Sequence, residues 1–162
     1  MKYKHIIWDW NGTLLNDLTL CVDLLNVSLE KRKLPEMTED KYRKKFLFPI
    51  KTFYESIGFD FSKEDFTIAN DEFHQGFEEN FKKLALQPYA KDTIARFQKM
   101  GVTQSILSAT VQSRLEQQVD FFGIKSLFNN VVGISNTPSG YGKEFEGKEL
   151  LSNTDIPLKQ TI

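Results

Sequence analysis

The chain has one cysteine, Cys21, so no disulfide can form within it. Cys21 reads as a small buried hydrophobe on a helix, and a lone thiol fits a reducing cytoplasm. Charge of one sign is also lacking. Twenty-one basic side chains face twenty-two acidic ones, for a net charge of −1. No global field therefore draws the protein to nucleic acid or to an acidic membrane surface. Only two histidines occur, His5 and His74, and neither has a metal-ligand spacing. No apolar run is long enough for a signal peptide or a membrane span, and internal repeats and low-complexity tracts are missing. What remains is an ordinary globular profile: 162 residues, 40% hydrophobic and 27% charged, enough for a sizeable core.

Phenylalanine is the exception. Nine of the fourteen fall between Phe46 and Phe81, so this middle region should bury its own aromatic surface as a small lobe. The order of elements agrees. Residues 3–9 form a short apolar stretch rich in β-formers, which predicts a buried strand. A helix over 18–33 follows, capped by Asn16 or Asp17, with Leu20, Leu24, Val27 and Leu29 among its candidate core positions. Helices are expected over 38–46 and 50–57, and then from the box-like Ser62-Lys63-Glu64-Asp65 to about residue 84. The pattern changes after Pro88. A helix to Met100, a strand over 102–107, a helix over 111–122 and a strand over 130–134 come in turn. After a Pro/Ser/Gly-rich loop over 136–142, a helix over 145–151 and the start of a strand over 158–162 are expected. Such alternation implies βαβ units and a parallel sheet, with reactive groups at the strand C-termini.

Asp9 and Ser108 both fall at such ends. The stretch IIWDWNGTLL, residues 6–15, stops a buried strand at a carboxylate, followed by Asn11, Gly12 and Thr13. A carboxylate there can serve as nucleophile or metal ligand. Loop amides after it, at Gly12 and Thr13, can hold a phosphate, because glycine lets backbone approach closely. The Ser108 hydroxyl and the Ala109 amide could bind the same anion, and Lys143 could neutralise it. Together these are the components of phosphoryl transfer. Trp8 is expected in the core. Trp10, in the loop, is a candidate substrate contact, as are Lys45 and Lys51 in the helical block. His5 and His74 are read as structural.

This arrangement resembles the haloacid dehalogenase superfamily. Its Asp-x-Asp-x-Thr-Leu motif is met by Asp9-Trp10-Asn11-Gly12-Thr13-Leu14. Its strand-end Ser or Thr is met by Ile106-Leu107-Ser108-Ala109, and its basic residue by Lys143, with Lys148 as competitor. The helical block looks like the cap of the phosphoglycolate phosphatase-like branch. The resemblance implies an α/β fold: a Rossmann-like three-layer core with a parallel sheet, residues 1–15 and 87–162, plus an inserted all-helical cap, residues 16–86. It also implies a Mg²⁺-dependent phosphatase of the cytoplasm. Asp9 would form an aspartyl-phosphate with a small phosphorylated metabolite, and Asp9 and the Asn11 carbonyl would hold the metal.

Two departures set further expectations. Asn11 stands where the family's acid–base Asp stands, and a carboxamide cannot exchange a proton usefully; such help is worth roughly 10²–10⁴-fold in rate. The acidic pair of the fourth motif is not found after Lys143; Glu144, Glu146, Glu149 and Asp155 lie before the last strand. The core is therefore expected to be incomplete at its C-terminus, with impaired activity, weak Mg²⁺ binding and self-association through an exposed sheet edge. A dehalogenase- or phosphonatase-type relative and a non-catalytic phosphate-binding protein are the alternatives.

Overall fold

The computed structural model describes residues 2–135, 143–154 and 157–162. The loop over 136–142 and Asp155 lie outside the described residues. The chain divides into two compact units, residues 1–16 with 85–162, and residues 17–84.

The first unit is α/β. Strands β1 (His5–Trp8), β4 (Thr103–Val111) and β5 (Asn130–Ile134) form a parallel sheet in the order β1-β4-β5. The chain advances in one direction across the sheet, through α5 (Ala90–Lys99) and α6 (Gln112–Phe121). After α7 (Glu144–Ser152) it returns to the far side of β1, where Thr161 pairs with His5 in parallel. Right-handed crossovers place helices on opposite faces when the direction of travel reverses. The contacts agree: on β4, Gln104 bonds the carbonyl of Ile94 in α5, whereas Leu107, of opposite parity, faces Gly147 of α7. The reversal beside β1 makes the end of β1 a topological switch point, the place where open α/β sheets put ligands. Asp9 is the next residue.

A small antiparallel pair, β2 (Leu15–Asn16) with β3 (Ala85–Leu86), was not expected from the sequence. Two strand expectations also change. The last segment is not a strand throughout: Leu158–Gln160 is a single 3₁₀ turn, and pairing begins at Thr161. These last residues lie along β1. Lys4 N–H donates to Gln160 O at 2.8 Å, Ile162 N–H to His5 O at 3.1 Å and Ile7 N–H to Ile162 O at 2.7 Å. Strand β4 does not stop at Leu107 but continues to Val111, with a register shift: Leu107 pairs with Val132 and Val111 with Ile134. Ser108, Ala109 and Thr110 occupy that shift.

The second unit is helical: α1 (Leu18–Lys31), α2 (Glu39–Lys45), α3 (Ile50–Ser56) and α4 (Phe66–Asn80). Its core gathers Leu25, Leu29, Met37, Phe53, Tyr54, Ile57 and Phe59, with Phe61 and Phe66 packed against it. Tyr54 meets Phe53, Phe59 and Phe66 edge-on, with the Phe59 centroid 4.7 Å away. This is the aromatic self-burial the phenylalanine clustering implied. The inward face of α1 is rotated from the one expected: Cys21, Val22, Leu25, Ser28 and Leu29 are buried, while Val27 is 53% exposed. The α4 cap is Asp65, whose carboxylate accepts from Thr67 N–H at 2.8 Å. Ser62, expected in that role, instead donates to Asp60 at 2.6 Å, because the chain turns before the helix starts.

Candidate active site

Strand β1 ends in a tight turn. The Trp10 carbonyl accepts from the amides of Thr13, Leu14 and Leu15 at 3.2, 2.9 and 2.9 Å. The Gly12 amide returns to the Leu15 carbonyl at 3.1 Å. Gly12 has φ +73, a conformation that glycine adopts without Cβ strain. The turn leaves Asp9 exposed at its base. Its amide interactions correct one expectation: the N–H groups of Gly12 and Thr13, offered to an anion by the sequence, are engaged inside the turn.

Lys143, immediately before α7, reaches back across 134 residues of sequence to Asp9. Its Nζ lies 2.6 Å from Asp9 Oδ1 and donates to the Leu107 carbonyl at 2.9 Å. The Trp10 amide donates to the same Asp9 oxygen at 2.9 Å. The carboxylate remains 48% exposed and the lysine 33%, so the pair faces solvent on one side. The competitor Lys148 sits exposed on α7.

A second set of groups converges on Asn11. Thr110 N–H donates to Ser108 Oγ at 3.1 Å, Ser108 O–H to Thr110 Oγ1 at 3.0 Å, and Thr110 O–H to Asn11 Oδ1 at 2.7 Å. Each hydroxyl proton has one destination, so the chain is polarised toward Asn11. Sequence reasoning missed Thr110; its hydroxyl at i+2 from Ser108 was the available signal. Ser108 is buried, only 1% exposed, and its proton is directed at Thr110. To meet a phosphoryl oxygen its side chain must rotate. Ala109 follows it in the out-of-register part of β4.

The two tryptophans differ from expectation in their burial. Trp10 is 0% exposed, and its Nε1–H donates to the buried Gln118 Oε1 at 2.8 Å. The indole packs beside Phe122, 6.0 Å away between centroids, as a buried core group in place of the substrate contact expected. Trp8 is half-buried against Phe97, with its Nε1–H on Gln104 Oε1 at 3.0 Å. Lys45 and Lys51 belong to the helical unit and are exposed; Lys51 Nζ lies 5.8 Å from the centre of the Phe61 ring. His5 is buried with Nδ1 2.7 Å from Thr103 Oγ1, in keeping with a structural role.

A carboxylate, an ammonium and polarised hydroxyls at the end of a parallel sheet can form and stabilise a covalent bond to an electrophile. A family model described as haloacid dehalogenase-like hydrolase matches residues 6–143. The chain belongs to the haloacid dehalogenase-like hydrolases. Among solved structures, a "predicted phosphoglycolate phosphatase" from Haemophilus somnus 129PT superposes with a TM-score of 0.78 at 20% identity. The match covers 99% of this chain and 76% of that one. A "predicted phosphatase" from Clostridium acetobutylicum gives 0.80 at 19% identity, over 100% and 75%. Protein Tyrosine Kinase A of Mycobacterium tuberculosis gives 0.72 at 17%, over 85% and 63%. At such identities the likeness is one of fold, and the different names carried by one fold leave chemistry to be argued from the site. No curated protein sequence matches the chain.

Among the described residues no group of three or more His, Cys, Asp or Glu side chains is assembled to hold a metal. The donor at hand is the Asp9 carboxylate, 48% exposed. Mg²⁺ often binds through one or two carboxylates and keeps several waters, so one exposed carboxylate fits a largely hydrated ion. No helix of the described residues is long and apolar enough to cross a membrane.

Proposed function

We propose that this hydrolase is a phosphatase of a small phosphorylated metabolite, acting through an aspartyl-phosphate on Asp9. The observation that carries the reading is the Lys143–Asp9 pair, 2.6 Å apart at the switch point of the sheet. Asp9 Oδ1 is held by Lys143 and the Trp10 amide, which aims Oδ2 outward as the attacking atom. Oδ2 bonds phosphorus, the ester oxygen leaves with the bonding electrons, and Lys143 offsets the charge of nucleophile and phosphate. A water then attacks phosphorus, the P–Oδ2 bond breaks and returns the Asp9 carboxylate, inorganic phosphate leaves, and the proton the water gives up replaces the one that the departed ester oxygen takes from solvent. We assign the Ala109 amide, and Ser108 after rotation, to the phosphoryl oxygens. Mg²⁺ bound by Asp9 and the Asn11 carbonyl would supply further charge neutralisation. Lys45 and Lys51 are our candidates for substrate contacts from a cap formed by residues 16–86. The cytoplasm is the proposed location, given the single cysteine. We also propose that the protein self-associates, and sedimentation velocity tests it.

Asn11 favours a second reading, a phosphate-binding protein that does not turn over. Its side-chain oxygen is held by Thr110, and its amide cannot deliver a proton to a leaving group. Mg²⁺-dependent hydrolysis of p-nitrophenyl phosphate separates the two. The phosphatase reading expects turnover that Asp9→Asn abolishes and Lys143→Met lowers by at least tenfold. Phosphate binding with no turnover selects the second reading.

A further inference from the structure

We infer that Gln112 is a positioning residue for the phosphoryl site, its carboxamide standing in for a backbone peptide where β4 leaves register with β5. The inference rests on the phosphatase reading for its effect on rate, but not for its effect on Asn11.

Between Leu107 and Val111 the chain of β4 advances four residues while its β5 partners, Val132 and Ile134, advance two. A bulge of this kind disrupts the ladder and leaves backbone groups of the partner strand to be satisfied some other way. Gln112, the first residue of α6, does this. Its Oε1 accepts from Gly133 N–H at 2.5 Å, and its Nε2 donates to the Val131 carbonyl at 3.0 Å. One side chain thus presents an acceptor and a donor to the two groups flanking Val132. Its orientation is fixed one turn along α6, where Nε2 also donates to Glu116 Oε1 at 2.9 Å. A carboxylate only accepts, so the nitrogen end must face it.

The clamp is close to the site. A Cβ added at Gly133 would lie 2.5 Å from the Thr110 carbonyl and 2.8 Å from Gln112 Cα. The backbone of β5 is thus pressed directly onto the Thr110–Gln112 segment. Thr110 in turn holds Asn11 Oδ1 at 2.7 Å and receives Ser108 at 3.0 Å. A shift of Gln112 therefore moves the hydroxyl that fixes Asn11 and accepts from Ser108. Misplacement by about 1 Å away from the reacting atoms costs on the order of 10²-fold in rate. Gln112 touches no reacting atom and acts through Thr110.

The test uses Gln112→Met, which keeps length and volume but makes none of the three bonds. Gln112→Glu keeps only the acceptor for Gly133. Ile124→Val, a fully buried core position, serves as a destabilised control that leaves the bulge alone. Turnover of p-nitrophenyl phosphate is measured well below each unfolding midpoint, together with ¹⁵N spectra of the Asn11 side-chain amide. The expected result is a fall in kcat of at least tenfold in Gln112→Met with KM within about threefold, a fall no smaller in Gln112→Glu, whose second oxygen would face the Val131 carbonyl and the Glu116 carboxylate, and a displaced Asn11 resonance in both. A kcat within twofold of the parent, or an equal loss in Ile124→Val at matched stability, overturns the inference. If the parent protein hydrolyses nothing, the phosphatase reading fails. The Asn11 resonance then decides alone, and its failure to move in Gln112→Met overturns the clamp.

Discussion

Replacing Trp10 by Phe tests whether the residue after Asp9 belongs to the core. The indole is fully buried, and its N–H is donated at 2.8 Å to Gln118, itself 1% exposed. Phe keeps the ring against Phe122, whose centroid lies 6.0 Å away, but loses the donor and part of the volume. The lost volume, on the order of 40 Å³, costs about 1 kcal/mol at about 24 cal/mol per Å³ of cavity. A buried carbonyl oxygen left without its donor costs about 1–3 kcal/mol. The expected loss of stability is therefore about 2–4 kcal/mol. Trp10→Phe combined with Gln118→Leu removes the orphaned carboxamide and should recover about 1–3 kcal/mol of it. Urea unfolding followed by Trp8 fluorescence measures both. The chain has only two tryptophans, and both lie in the α/β unit, so the signal reports that unit alone. A loss below about 1 kcal/mol, with a raised KM for an aryl phosphate, would return Trp10 to the role of substrate contact and refute the reasoning.

Asn11→Asp should raise or leave unchanged the hydrolysis of alkyl phosphates, whose poor leaving groups need a proton; a large drop in their kcat would show a specific need for the amide. In the helical unit, Arg32 donates to Glu64 at 2.6 Å, to Glu72 at 3.0 Å and to the Ser28 carbonyl at 2.9 Å. Because the two glutamates are about one-third exposed, Arg32→Met should cost about 1–3 kcal/mol, below the value for a fully buried pair. Hydrogen exchange of the amides of α1 and α4 measures the loss. Burial lowers the His5 pKa below its ordinary value of 6.5. The unfolded chain then binds the extra proton first, so stability is full above about pH 6.5 and declines as the pH falls toward the folded-state pKa. His5→Gln should flatten that part of a stability–pH curve; an unchanged slope would assign the dependence to other groups.

The sequence by itself determined the family, the parallel sheet and the helical block. These follow from local signals: apolar runs of strand length, helix periods, proline and glycine stops, and a motif whose residues lie within six positions of one another. It also named Asp9, Ser108 and Lys143, because a strand end is where a parallel sheet exposes side chains. Tertiary structure decided the rest. Which lysine meets Asp9 depends on a contact across 134 residues, and no local pattern separates Lys143 from Lys148. That Trp10 is buried and Trp8 only half-buried depends on a turn in which three amides converge on one carbonyl. The β4 bulge, the polarised chain from Thr110 to Asn11 and the Gln112 clamp were invisible for the same reason. Each is a hydrogen-bond pattern between segments brought together only by the fold, and a side chain's residue type does not state which distant backbone group it will satisfy.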